Sequence, residues 1–121
     1  MHYEGSFEVA APKNFCYEFA IDPGKITTIF PDAQDVNIID SENFELKTKI
    51  GISFIKGLMD VRGTITDKIP EKFVKLKAKA RGLDSSIELE SGFSMEDKAG
   101  GGTKIQWEVD AVIGGLMSRV G

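Results

Sequence analysis

The residue types that do chemistry are few in this chain, and their spacing suits little of it. The one histidine, His2, stands at the ragged start, and the one cysteine, Cys16, falls on the apolar side of a predicted helix. No His/Cys/carboxylate spacing matches a metal site. A single terminal imidazole also cannot complete a serine–histidine–acid set, which needs nucleophile, base and orienting acid together. Carboxylates for acid–base work are numerous, but Asp22, Asp32, Asp35 and Asp40 fall at predicted caps and turns. Glu88, Glu90, Glu108 and Asp110 fall on the water-facing parity of predicted strands. Cys16 reads as a small buried hydrophobe. Gly100-Gly101-Gly102 lacks the Lys-Ser/Thr and following helix of a phosphate loop and reads as a flexible hairpin. The expectation is a protein without catalytic residues, metal or cofactor, one that works by binding.

The elements that must position a binding face are legible as two periodicities. Tyr3, Gly5, Phe7 and Val9 alternate with Glu4, Ser6 and Glu8, which predicts a strand. Pro12 suits the first turn of a helix, whose apolar side is Phe15, Cys16, Phe19 and Ala20. Asp22-Pro23 reads as an N-cap and first-turn proline opening a second short helix, with Ile26, Ile29 and Phe30 buried and Pro31 as the stop. Period-2 segments then follow one another. They run over Val36–Ile39, Phe44–Ile52, Met59–Ile69, Val74–Arg81, Ile87–Glu96 and Ile105–Ile113. Ser41-Glu42-Asn43 and Pro70-Glu71 read as turns. Ser53–Gly57 reads as a loop carrying the apolar Phe54 and Ile55. Strands joined this tightly pair antiparallel, so one curved sheet is expected. Its apolar face needs a cover, and the expected cover is a helix opening after Gly114-Gly115-Leu116-Met117, of which about two turns are present.

Size and charge narrow the classes. The chain has 121 residues and reads as a single domain, 1–121, able to bury a core without disulfide or metal. A lone cysteine excludes an internal disulfide, and no secretory leader is visible, so a reducing, cytoplasmic location is expected. Tyr3 already belongs to a strand, so no segment is expected ahead of the domain. A net charge of −4 points away from nucleic acid. No apolar run approaches the roughly 18 residues of a membrane span, which leaves peripheral contact as the one membrane role. Lys75, Lys77, Lys79 and Arg81 form a basic stripe, but a turn near Gly82–Ser85 sets Lys79 opposite Glu88 and Lys77 opposite Glu90. Such pairs neutralise the stripe and are worth roughly 0.2–1 kcal/mol each.

The inward positions mix bulk and absence of bulk. Met59, Met95, Phe7, Phe93 and Trp107 stand among Gly63, Ala78, Ala80, Thr48 and Ser91. Small residues in mid-strand fit two readings: a concave apolar pocket, or close approach of a covering helix.

Several of these segments together resemble a known family. Tyr3-Glu4-Gly5-Ser6-Phe7-Glu8-Val9, Asp22-Pro23, Phe30-Pro31, Val61-Arg62-Gly63, Gly101-Gly102-Thr103 with Trp107 following, and Gly114-Gly115-Leu116 are similar to the CoxG-like family, that of the G subunit of carbon monoxide dehydrogenase. That family lies within the START-like, or SRPBCC, superfamily. The resemblance implies an α+β helix-grip fold: a curved antiparallel sheet around a C-terminal helix, here truncated, with two short helices after the first strand. It implies an accessory protein rather than an enzyme, linked to a molybdenum-containing dehydrogenase, its attachment to the inner membrane face and a lipid quinone. The family pattern runs on for a long helix past Gly121, so the groove is expected to be covered by a ligand, a partner chain or a second copy.

On this basis the expected ligand is an apolar small molecule, a lipid or quinone. The candidate lining is Met59, Val61, Gly63, Ile65, Leu76, Ala78, Ala80, Leu89, Phe93, Trp107 and Val109, with Phe54 as a gate. Two other classes compete. A START-like aromatase/cyclase would need an acid or base at an inward position, and a co-chaperone-like interaction module would have a filled core.

Overall fold

The computed structural model describes residues 1–120. Seven strands form one antiparallel sheet: β1 (His2–Val9), β2 (Gln34–Ile38), β3 (Asn43–Ile52), β4 (Ile55–Ile69), β5 (Phe73–Gly82), β6 (Ser85–Asp97) and β7 (Thr103–Gly115). Their order is β1-β7-β6-β5-β4-β3-β2. Strands β2 to β7 are therefore a meander, each paired with its neighbour in sequence, and β1 closes onto β7. The link from β1 to β2 passes from one edge of the sheet to the other. It carries helix α1 (Lys13–Ala20), helix α2 (Pro23–Ile26) and a 3-10 turn, Thr27–Ile29. This is the curved sheet with two short helices of the helix-grip fold.

Alternation along each strand and register between strands agree on a single inner face. Across it run Phe44, Gly63, Ala78, Leu89 and Ala111 in one row, and Leu46, Val61, Ala80, Ile87 and Ile113 in the next. A third row runs Ile65, Leu76, Ser91, Val109 and Tyr3, and a fourth joins Val74, Phe93, Trp107 and Gly5. Side chains of one parity must share a face, so these rows make an apolar face, with Lys68 beside Val74 as its charged edge on β4.

The helices cap one end of that face. Asp22 accepts the Gly24 N–H at 2.9 Å, the expected N-cap, and Ile26 is buried beneath it. Pro12 takes the N-cap position of α1 rather than its first turn. Cys16 is buried and Phe19 and Ala20 pack on the core, but Phe15 is exposed. Ile29 is exposed as well, while Phe30 lies edge-on to Phe44 with ring centroids 5.9 Å apart. Helical spacing says which residues share a side, not how much of that side the sheet covers, and Phe15 and Ile29 lie beyond the covered part.

Three further details differ from the sequence reading. Pairing of β3 with β4 continues to Ile52 and Ile55, so Ser53–Gly57 is not a loop: Ser53 and Phe54 alone make the turn, with Ser53 at φ 56°. A register shift between Ile65 and Asp67 then flips the end of β4. Ile69 thereby leaves the inner parity and stands exposed opposite Phe73. At the C-terminal end, the expected α-helix is a 3-10 turn, Leu116–Arg119. Gly115 adopts φ 77°, and a Cβ there would lie 2.3 Å from the Asp84 carbonyl oxygen, so only glycine allows the chain to double back. The Leu116 N–H then donates to Asp84 O at 2.9 Å and the Met117 N–H to Ser85 Oγ at 2.9 Å. Met117 is driven fully into the core.

Candidate functional site

The inner face divides into two halves. On β3, β4 and β5, the inward side chains are sealed: Phe44, Leu46, Met59, Val61, Ile65, Val74, Leu76, Ala78 and Ala80 are all buried. Phe30, the Ile26 side chain and Met117 press on them. Thr48 donates its hydroxyl to the Pro31 carbonyl, which ties the end of the helical link down onto β3. Here small residues make room for large ones. A Cβ on Gly63 would stand 2.2 Å from the Phe44 ring, so the space beside that glycine is already filled.

On β6, β7 and β1 the same face is only partly covered. Leu89, Phe93, Trp107 and Val109 are half-buried, and Tyr3 and Phe7 beyond them are exposed. Trp107 lies flat over the backbone of Gly5, whose hypothetical Cβ would meet the indole at 2.7 Å. The inward positions Ile87, Leu89, Ser91 and Phe93 of β6 and Ile105, Trp107, Val109, Ala111 and Ile113 of β7 carry no ionisable group. Their one hydroxyl, on Ser91, donates to the Glu108 carbonyl at 3.1 Å. Such a surface can hold apolar matter by area and shape, and has no donor or base aimed at it.

Of the residues singled out by alternation, Met59, Val61, Gly63, Ile65, Leu76, Ala78 and Ala80 lie in the sealed half. Leu89, Phe93, Trp107 and Val109 come together in the partly open half. Phe54 is 76% exposed at the β3–β4 turn, the opposite end of β4 from the strand rows that meet Phe93 and Trp107, and it joins neither group. Tyr3 and Phe7 belong with the open patch and were not among the candidates. Their own alternation put them on an inner face. What brings them beside Val109 and Ile105 is the pairing of β1 with β7, which joins segments about a hundred residues apart.

The outer face is polar and self-neutralised. In the Lys75, Lys77, Lys79, Arg81 stripe, Lys77–Glu90 at 3.7 Å and Lys79–Glu88 at 3.6 Å meet as the hairpin register requires, Lys75 reaches Glu90 diagonally at 3.4 Å, and Arg81 stands opposite Ser86. Arg62 pairs with Glu45. A broad, open concavity of ≈ 1490 Å³ on this side is paved by these same paired charges and does not suit an apolar ligand. His2 is not at a ragged end but within β1, where hydrogen bonds to Asp110 and then Glu4 hold its imidazole above the ordinary pKa. In the β2–β3 turn, Asp40 accepts the N–H groups of Glu42 and Asn43 and the Asn43 side-chain amide. These bonds, the Glu42 N–H first, hold its carboxyl below the ordinary range.

Residues 5–121 match the sequence profile of the CoxG family, described as the G subunit of carbon monoxide dehydrogenase, and the chain belongs to that family. No protein of curated function matches it by sequence. Among solved structures, a conserved protein from Geobacillus kaustophilus superposes with a TM-score of 0.87 at 20% identity, over 100% of this chain and 80% of that one. An aromatase/cyclase from Streptomyces sp. R1128 gives 0.64 at 15% identity, over 96% and 70%. Norcoclaurine synthase from Thalictrum flavum gives 0.62 at 16% identity, over 92% and 68%. At these identities the likeness establishes the START-like helix-grip fold and nothing finer. No helix among the described residues is long and apolar enough to cross a membrane.

Proposed function

We propose that this member of the CoxG family is a non-catalytic carrier and docking module that holds a quinone or lipid on the β6–β7–β1 half of its inner face. It would do so in association with a carbon monoxide dehydrogenase-type molybdenum enzyme, at the surface of the membrane from which such a ligand comes. The observation that carries this reading is the partly open patch of Leu89, Phe93, Trp107 and Val109, apolar and without an ionisable group. The expected gate at Phe54 takes no part in it. Burial of an alkyl or isoprenoid chain contributes about 0.8 kcal/mol per CH₂, and a few units offset the cost of association. Acid–base catalysis on a bound substrate would need a proton carrier at an inward position. The patch supplies none, which supports a binding role.

Trp107 is the only tryptophan and lies in the patch, so its fluorescence tests the reading directly. Titration with a short-chain quinone should quench it saturably. Leu89→Gln, which places an amide in the patch at a half-buried position, should weaken that response about tenfold with the fold intact. If the native chain shows no saturable response to quinone or to lipid vesicles, the carrier reading falls and a protein-interaction role for the same surface replaces it.

A further inference from the structure

We propose that His2, Glu4 and Glu108 form a binding site for one divalent ion of the zinc class, with Asp110 as the residue that positions the imidazole. The site lies on the outer face, away from the apolar patch. It is made by pairing of β1 with β7, in which His2 stands opposite Asp110 and Glu4 opposite Glu108. The Met1 amino group donates to the Ala111 carbonyl at 2.7 Å and fixes the start of β1 in this register.

The geometry is that of a carboxylate–histidine–metal array. Nδ1 of His2 is held by Asp110 Oδ1 at 2.6 Å, which sets the ring plane and leaves Nε2 facing Glu4. Nε2 and Glu4 Oε2 are 3.3 Å apart. Two ligands at zinc distances of about 2.0–2.1 Å in a tetrahedron are separated by about 3.3–3.4 Å, so this pair already spans an edge of the coordination polyhedron. One ligand atom from each of His2, Glu4 and Glu108 lies within 4.8 Å of the others, and a rotamer adjustment of the exposed Glu108 closes the remainder. The ion would replace the proton shared by Nε2 and Glu4, with water as its fourth ligand. One imidazole nitrogen with two carboxylates suits zinc and its neighbours; calcium would demand six to eight oxygens.

The single histidine makes the test selective. Calorimetric titration of the untagged chain with Zn²⁺ in a non-coordinating buffer should give one ion per chain, and Co²⁺ should shift the ring-proton resonances of His2. His2→Gln should abolish binding. Glu4→Gln and Glu108→Gln should each weaken it at least tenfold, and Asp110→Asn about tenfold through loss of ring orientation. All four positions are exposed, so circular dichroism should show each variant folded. Absence of binding, a Glu108→Gln chain that binds as the native one does, or unshifted His2 resonances would each overturn the site.

Discussion

The β3–β4–β5 half of the inner face and the β6–β7–β1 half are built from the same alternation, yet one is sealed and the other partly open. The larger side chains do not decide this. Phe93 and Trp107 are among the bulkiest inward residues and remain only partly buried, while Ala78 and Gly63 are closed over. What differs is the cover. The link from β1 to β2 lays Ile26, Phe30 and Pro31 against β3 and its neighbours, and Met117 fills the far end. Small residues in this fold thus mark where something already fits closely. Large residues with an incomplete cover mark where something else can be received.

Mutations should separate the two halves. Phe44→Ala removes the fully buried ring that fills the space at Gly63, and should destabilise the fold by about 3–5 kcal/mol in chemical denaturation. Gly63→Val attacks the same contact by overpacking and should cost about 1–3 kcal/mol. Trp107→Ala, by contrast, removes a half-buried ring. It should cost about 1–2 kcal/mol, a fraction of the full burial of an aromatic side chain, while abolishing ligand binding as read by a competing fluorescent lipid. If Trp107→Ala proved as destabilising as Phe44→Ala, the partly open half would be core and not a site.

Gly5→Ala should tilt the indole away from the β1 backbone and shift its emission, with a smaller loss of stability than either change in the sealed half. On the outer face, Lys77→Glu with Lys79→Glu should change stability by under about 1 kcal/mol, because the broken pairs are solvent-exposed. Liposome binding by that double variant should equal that of the native chain. A large loss would transfer membrane contact to the basic stripe.

The smallest effect concerns Asp40. Its hydrogen bonds lower the carboxyl pKa in the folded chain, so their contribution is fully present above the ordinary carboxylate pKa and is lost as pH falls through the folded value. The difference in melting temperature between the native chain and Asp40→Ala should therefore be constant near neutrality and narrow in strong acid. A gap that widened on acidification would show that the turn is held by something other than the ionised carboxylate.

Period-2 alternation by itself determined the sheet, its antiparallel sense and the composition of its inner face, because side-chain direction in a strand is a local property of the chain. The Lys77–Glu90 and Lys79–Glu88 partners were legible for the same reason, since a two-residue turn sets hairpin register. The family membership was legible in short segments spread along the whole chain. What lay beyond local reading was decided by packing and by the meeting of distant segments. A register shift between Ile65 and Asp67 turned Ile69 outward, and short helices left Phe15 and Ile29 in water. Phe44 closed the gap at Gly63 that composition alone offered as a pocket. Pairing of β1 with β7 completed the open patch with Tyr3 and Phe7, and on the other side it set His2 and Glu4 beside Glu108 and Asp110. Alternation says which way a side chain faces, but only the folded chain says what it faces.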